Sequence, residues 1–120
     1  MLVTEIATRL HDLCQNNEND VAYNELFNED ATSTEPNMAK GGQIETVSGM
    51  PAIKEKAQIF YSMLEEVHGG YANKPSVFGN HIFMEMGMDA TMKGMGRMEM
   101  KEMAHYVVAD GKIISQQFYY

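Results

Sequence analysis

Glu35 is the acidic residue whose position in the sequence points most directly to chemistry. It follows the extended segment Ala31–Thr34 and precedes Pro36, and a residue before proline is biased toward an extended backbone. A carboxylate held where a strand meets a loop can act as a general base at the mouth of a cavity. The alternative is an ordinary solvated charge, which position alone favours because most carboxylates in proteins are exposed.

His105 is the second ionisable candidate, since it falls in a long apolar segment among Met103, Tyr106 and Val107. We expect this histidine to be at least partly buried. It is then either a hydrogen-bonded structural residue, which is the more common case, or a hydrogen-bond donor in catalysis.

The other residue types that bind metals or act as nucleophiles lack the spacing that such sites need. The four histidines include no pair one helical turn apart, and Cys14 is the only cysteine. No serine or cysteine lies in the setting of a nucleophile elbow. The sequence therefore predicts no zinc or iron site, no cofactor and no acyl transfer.

Methionine is over-represented, with 12 residues, and eight of them lie between positions 84 and 103. Thioethers bind Cu(I), and Met84, Met86 and Met88 alternate so that they share one face of a strand. Methionine is also an adaptable apolar filler. We favour a role in the core, a pocket wall or a subunit interface over copper, and we expect Met84, Met86 and Met103 to line a ligand pocket.

Helical patterns dominate the first half of the chain. Apolar spacing predicts a helix over residues 4–17 capped by Thr4, and a short helix that is capped by Asp20 and includes Phe27. A third helix is predicted from Pro51 through Val67, with its apolar stripe on the concave side of a sheet and glycines ending it.

A period of two replaces the helical period in the second half. It predicts strands at 82–92, 97–109 and 112–120, joined by a glycine-containing turn and by the dipeptide Asp110-Gly111. Helices followed by an antiparallel meander indicate an α+β fold in one domain spanning residues 1–120.

Composition narrows the class of protein. Hydrophobic residues make up 44% and charged residues 22% of the chain, which is typical of a folded domain and leaves no membrane-spanning run. The net charge of −8 argues against nucleic acid and anionic lipid as partners. The single cysteine and the absence of a basic-then-apolar leader favour a cytoplasmic location.

Three segments carry a resemblance to the NTF2-like superfamily, in particular its SnoaL-like members and the ketosteroid isomerases. They are the helix end, strand and acidic residue before proline at 27–36, the entry to a long helix at 48–53, and the final hairpin at 106–120. The resemblance implies a cone, in which N-terminal helices pack on a strongly curved antiparallel sheet.

The resemblance also implies roles for individual residues. Glu35 occupies the place of the isomerases' proton-shuttling base, His105 that of their protonated acid, and His11 that of their helix-one tyrosine. Tyr61 and Tyr106 are further candidate donors to a small apolar ligand.

The implied function is a pocket for such a ligand, in an isomerase or cyclase that abstracts a proton next to a carbonyl group. The alternative is a non-catalytic ligand-binding or structural dimerisation module.

A homodimer is expected because the long strands carry apolar side chains on both faces. Met98 and Met100 lie on one face, and Met103 and Val107 on the other, whereas helices can cover only one of them. NTF2-like proteins commonly pair through the outer face of the sheet, and we expect the same here.

Overall fold

Three helices and seven strands make up the chain, and a computed structural model describes every residue from 1 to 120. The helices are α1 (Val3–Gln15), α2 (Asn19–Leu26) and α3 (Met50–Ser62). The strands are β1 (Phe27–Asn37), β2 (Gln43–Ser48), β3 (Leu64–Ala72), β4 (Ser76–Phe78), β5 (His81–Met92), β6 (Gly96–Ala109) and β7 (Lys112–Tyr119). None of the helices is both long and apolar enough to cross a membrane.

All seven strands form one curved sheet in the order β2-β1-β7-β6-β5-β3, with β4 also paired to β5. Every pair is antiparallel except β1 with β7, which run parallel. The longest ladder joins β5 to β6, from His81 opposite Val107 to Met92 opposite Gly96. The prediction of an α+β cone with helices on a curved sheet is confirmed.

Side chains alternate between two faces of this sheet because successive residues of a strand point to opposite sides. The side of the sheet that packs against the helices is called the inner face. There, residues of β5, β6 and β7 join Ile6, Leu10 and Leu13 of α1 in one core cluster. The strand residues concerned are Ile82, Met84, Ala104, Tyr106, Val108 and Ile113. The opposite side, which no helix covers, is the outer face.

Both predicted hairpins are confirmed. The strands at 81–92, 96–109 and 112–119 match the predicted ranges within one residue. At the second turn Asp110 has φ 52° and Gly111 has φ 76°. Two positive φ angles at the centre of a two-residue loop are the requirement of a hairpin turn whose twist matches its strands.

The third helix was predicted too long. It ends at Ser62, and Leu64 and Val67 lie in β3, which pairs with β5. A partner strand outweighs the local helical spacing here, and Gly70 permits close pairing because a side chain there would meet the carbonyl oxygen of Gly87 at 3.0 Å. Ile53 is buried in the core as expected.

The helix starts and the first strand also differ from prediction. Neither Thr4 nor Asp20 is a cap: α1 begins after Leu2, whose N–H donates to the Glu5 side chain at 2.8 Å, and α2 begins after Glu18. Strand β1 runs on to Asn37, so that Glu35 lies inside a strand paired with β2 and not at the strand end.

Candidate functional site

Glu35 lies on the inner face of the sheet. In the parallel ladder between β1 and β7, Ser33 is opposite Gln116, and the Gln116 amide donates to the Ser33 hydroxyl at 3.0 Å inside the core. Glu35 is two residues further along β1, and so points to the same side as Ser33.

Two side chains hold the Glu35 carboxylate. The Tyr120 hydroxyl lies 3.0 Å from Glu35 Oε2 and 3.0 Å from the carbonyl oxygen of Pro36. The ammonium of Lys56, which α3 carries over β1, forms an ion pair with Glu35 Oε1. Only 20% of the Glu35 side chain is exposed, so the solvated-charge alternative does not describe it.

Glu102 is the second carboxyl group on the inner face. It precedes Ala104 on β6 by two residues and faces Met86 of β5 in the ladder, and it is half-buried. Burial, and after it the negative charge of Glu35, raise the pKa of Glu102 to about 7. Near neutral pH this group therefore exists as both acid and carboxylate, and it can donate or accept a proton.

The charges of Glu35 and Glu102 act on three tyrosines. Burial raises the pKa of Tyr23 to about 12, and it also raises the pKa values of Tyr61 and Tyr106. The charge of Glu35 contributes to the shift at Tyr23, and that of Glu102 to the shifts at Tyr61 and Tyr106. Their hydroxyl groups stay protonated at any physiological pH and can donate hydrogen bonds. Tyr61 also accepts one, from the Asn19 amide at 2.7 Å.

The Cys14 thiol lies close enough to this cluster to sense the charge of Glu102. Burial, and after it the charge of Glu102, raise its pKa to about 11. The thiolate is the nucleophilic form of cysteine, and at neutral pH Cys14 is almost entirely in the thiol form.

His105 is separated from Glu35 by the sheet itself. It is opposite Phe83 on β5 and Gln117 on β7, one residue out of step with the inner-face residues Ala104 and Tyr106. A shift of one residue moves a side chain to the other face. The predicted pairing of Glu35 with His105 at one cavity is therefore wrong, and Tyr106 is the predicted donor that shares the face of Glu35.

His11 is engaged elsewhere. Its Nε2 lies 3.0 Å from the carbonyl oxygen of Ala72 on β3, and the ring also lines a groove with Lys74, Pro75 and Val77. The structure thus joins His11 to the edge of the sheet and not to the Glu35 carboxylate.

The three methionines predicted to line a pocket divide between the faces. Met84 is 1% exposed in the core, and Met86 packs against the core on the same face. Met103 is opposite Tyr119 on the outer face and is 40% exposed, so its predicted place in the pocket wall is wrong. No three or more His, Cys, Asp or Glu side chains are grouped so as to hold a metal ion.

Sequence reasoning missed Glu102, Tyr23 and Lys56. A signal for Glu102 was present, because it lies two and four residues before Ala104 and Tyr106 and so shares their parity. Lys56 and Tyr23 carry no such signal, since only the packing of α2 and α3 on the sheet brings them to the site.

Solved structures of several bacterial proteins resemble the chain. A candidate SnoaL-like polyketide cyclase from Mesorhizobium loti is 31% identical, with a TM-score of 0.89 and 100% of each chain covered. A Catenulispora acidiphila protein with a ketosteroid isomerase-like fold, solved with trimethylamine, is 22% identical, with a TM-score of 0.71 over 97% of this chain and 85% of its own. A candidate polyketide cyclase from Pseudomonas putida is 15% identical, with a TM-score of 0.68 over 100% and 92%.

Among proteins of curated function, none matches the chain significantly. A family model described as SnoaL-like domain matches residues 1–120. Together with the full-length likeness to the Mesorhizobium protein, this match shows that the chain belongs to the SnoaL-like domain family.

Proposed function

We propose that this SnoaL-like domain binds a small apolar carbonyl compound against the inner face and abstracts a proton next to its carbonyl group, with Glu35 as the base. The observation that carries the proposal is the placement of two carboxyl groups, Glu35 and Glu102, on one largely covered face. Paired carboxyl groups in unequal environments are typical of acid and base roles within one site.

The two carboxyl groups take different roles because their surroundings differ. The Lys56 ammonium and the Tyr120 hydroxyl orient the Glu35 carboxylate. Glu35 accepts the proton from carbon, and the electron pair of that C–H bond moves through the new C=C bond onto the carbonyl oxygen. The product of this step is an enolate.

Protonated donors then stabilise the enolate oxygen. The acid form of Glu102, whose pKa is about 7, and the hydroxyl groups of Tyr23 and Tyr106 supply such hydrogen bonds. Donors in a water-poor site act strongly on a developing charge. Return of the proton at another carbon completes an isomerisation. Alternatively, the enolate carbon attacks a second carbonyl group of the substrate, whose C=O π electrons move onto oxygen, and the proton held by Glu35 is transferred to that alkoxide to complete a cyclisation.

Two observations favour a second candidate function, that of a ligand-binding module without turnover. The Lys56 ammonium neutralises Glu35, and Ile82 and Met84 fill the neighbouring inner face. In that case Glu35 orients a bound ligand and removes no proton.

The test measures exchange of carbon-bound protons next to the carbonyl group with deuterium, by NMR, for a panel of cyclic and aromatic ketones. We expect Glu35→Gln to slow exchange by ~100-fold or more, as removal of a general base does. The outer-face variants Glu99→Gln and His105→Ala serve as controls and leave the rate unchanged. Full exchange by folded Glu35→Gln contradicts the proposal, and binding without exchange in the unaltered protein supports the binding module.

We further propose a homodimer that forms through the outer face. The exposed side chains there include Phe83 at 38%, Met103 at 40% and Tyr119 at 48%, and large exposed apolar patches mark interaction sites. Light scattering at micromolar concentration should give twice the monomer mass. Met103→Glu should lower the measured mass toward that of the monomer. A monomer at all concentrations contradicts this proposal.

A further inference from the structure

Two histidines meet on the outer face, away from the inner-face carboxyl groups. His81 of β5 and His105 of β6 lie on neighbouring strands, and the distance from His81 Nδ1 to His105 Nε2 is 2.9 Å. Phe83 stacks on the His105 ring with centroids 4.4 Å apart and planes 7° from parallel. The proposed proton transfer makes no use of these three residues.

The separation of the two nitrogens matches that of two ligands on one metal ion. Imidazole nitrogens bind transition metals at about 2.0–2.1 Å. Two such ligands at a right angle are ~2.9 Å apart, whereas tetrahedral ligands are ~3.3 Å apart. Right-angled ligands are typical of square-planar and octahedral Cu²⁺ and Ni²⁺. We propose that His81 and His105 form a chelating site for a divalent transition-metal ion of the Ni²⁺ or Cu²⁺ class.

The hydrogen bond between the two rings is compatible with metal binding. A neutral imidazole carries one proton, on one of its two ring nitrogens. In the hydrogen-bonded pair, one of the two facing nitrogens, His81 Nδ1 or His105 Nε2, carries the shared proton. Chelation needs both facing nitrogens bare, which a change of tautomer achieves by moving that proton to the far nitrogen of its ring.

The fold supports the pair on both sides. The β5–β6 ladder sets the relative position of the two residues, and the Phe83 ring restricts rotation of His105. Both histidines remain half-exposed, so water can complete the coordination of the ion. The net charge of −8 favours the approach of a cation.

Calorimetric titration of the tag-free chain with NiCl₂ at pH 7.5 tests the site. We expect one ion per chain, or one per two chains if a dimer brings two His81–His105 pairs together. His81→Ala and His105→Ala should each weaken binding by at least ~10-fold, with folding checked by circular dichroism. The matched control is His68→Ala, since His68 also lies on the sheet surface but bonds to Thr91 Oγ1 at 2.7 Å.

A second measurement separates the pair from other nitrogens. Added Ni²⁺ should broaden the ring NMR signals of His81 and His105 before those of His11 and His68. Equal broadening of all four histidines, or unchanged affinity in both alanine variants, overturns the proposal. Because the readouts are binding and line width, failure here leaves the proton-transfer proposal untouched.

Discussion

The two faces of the β5–β6–β7 meander differ sharply although they belong to the same three strands. On the inner face Ile82 and Ala104 are fully buried, and Met84 is 1% exposed. On the outer face Phe83 is 38% and Met103 40% exposed. Burial along these strands is therefore decided by residue parity and not by residue type, since methionine occurs on both faces.

The same alternation separates two kinds of ionisable group. Glu102 and His105 are three residues apart on β6, which places them on opposite faces. The inner carboxyl group has its pKa raised to about 7 by burial, whereas the outer imidazole is half-exposed and bonded to a second imidazole. A single strand thus presents the proposed proton donor on one side and the proposed metal ligand on the other.

Substitution of one methionine on each face compares the two faces directly, and the inner-face substitution has the largest expected effect on stability. Met84→Ala removes a fully buried side chain and leaves a cavity, so we expect the free energy of unfolding to fall by ~2–5 kcal/mol. Met103→Ala removes a side chain that is 40% exposed, and should change it by less than ~1 kcal/mol. Urea unfolding followed by circular dichroism measures both variants.

The pair of methionine variants also tests the assignment of faces. If Met84→Ala and Met103→Ala lower the free energy of unfolding equally, this assignment is contradicted, unless a second copy of the chain covers the outer face. Measuring both variants at two protein concentrations distinguishes these cases, because stabilisation by a dimer interface depends on concentration.

The elements that the sequence predicted correctly are those with local causes. The β6–β7 hairpin follows from Asp110-Gly111, which provides the two positive φ angles that its turn requires. Strand β3 was missed because its apolar residues also fit a helical stripe, and only pairing with β5 decides between the two. Strand β2 was missed for a similar reason, since its structure depends on β1.

The candidate site also combines features with local causes and features that depend on distant parts of the chain. Glu35 could be proposed from its place before Pro36, but its position inside a strand and its partners Lys56 and Tyr120 come from distant segments. His105 was misplaced because its face depends on register, and the sequence alone does not state which parity faces the helices. Met84 and Met86 of β5 lie on the core side because both have the parity of Ile82, and their predicted place in a pocket wall stays a prediction.

Substitution of Glu102 has the next largest expected effect, which is a change in how the free energy of unfolding depends on pH. Its pKa of about 7 in the folded state exceeds the ~4.3 of an unfolded chain. Between these values the folded protein holds a proton that the unfolded chain has lost, so stability falls as pH rises through this window. Glu102→Gln should remove that slope and raise the free energy of unfolding at pH 8 by roughly 1–3 kcal/mol.

The matched control is Glu99→Gln, which changes an exposed carboxylate on the outer face of the same strand. Urea unfolding at pH 5, 6, 7 and 8 compares the two variants with the unaltered chain. A Glu102→Gln profile that runs parallel to that of Glu99→Gln would mean that Glu102 is solvated, and would remove the proton donor from the proposed mechanism.

Gly87 gives the smallest effect and tests the outer face without touching either site. The Tyr71 ring lies directly over this glycine, so that a side chain there would meet the ring at 2.3 Å, and the Tyr71 hydroxyl donates to Glu85 at 2.6 Å. Gly87→Ala should push the ring aside, break this hydrogen bond and lower the midpoint of thermal unfolding by about 2–5 °C. Gly69→Ala is the control on the paired strand, because a side chain at Gly69 meets nothing within 4 Å and removal of a glycine lowers the entropy of the unfolded chain. If Gly87→Ala and Gly69→Ala have the same midpoint of thermal unfolding, then the Tyr71 ring does not cover Gly87 in solution, and this part of the outer face is exposed to solvent.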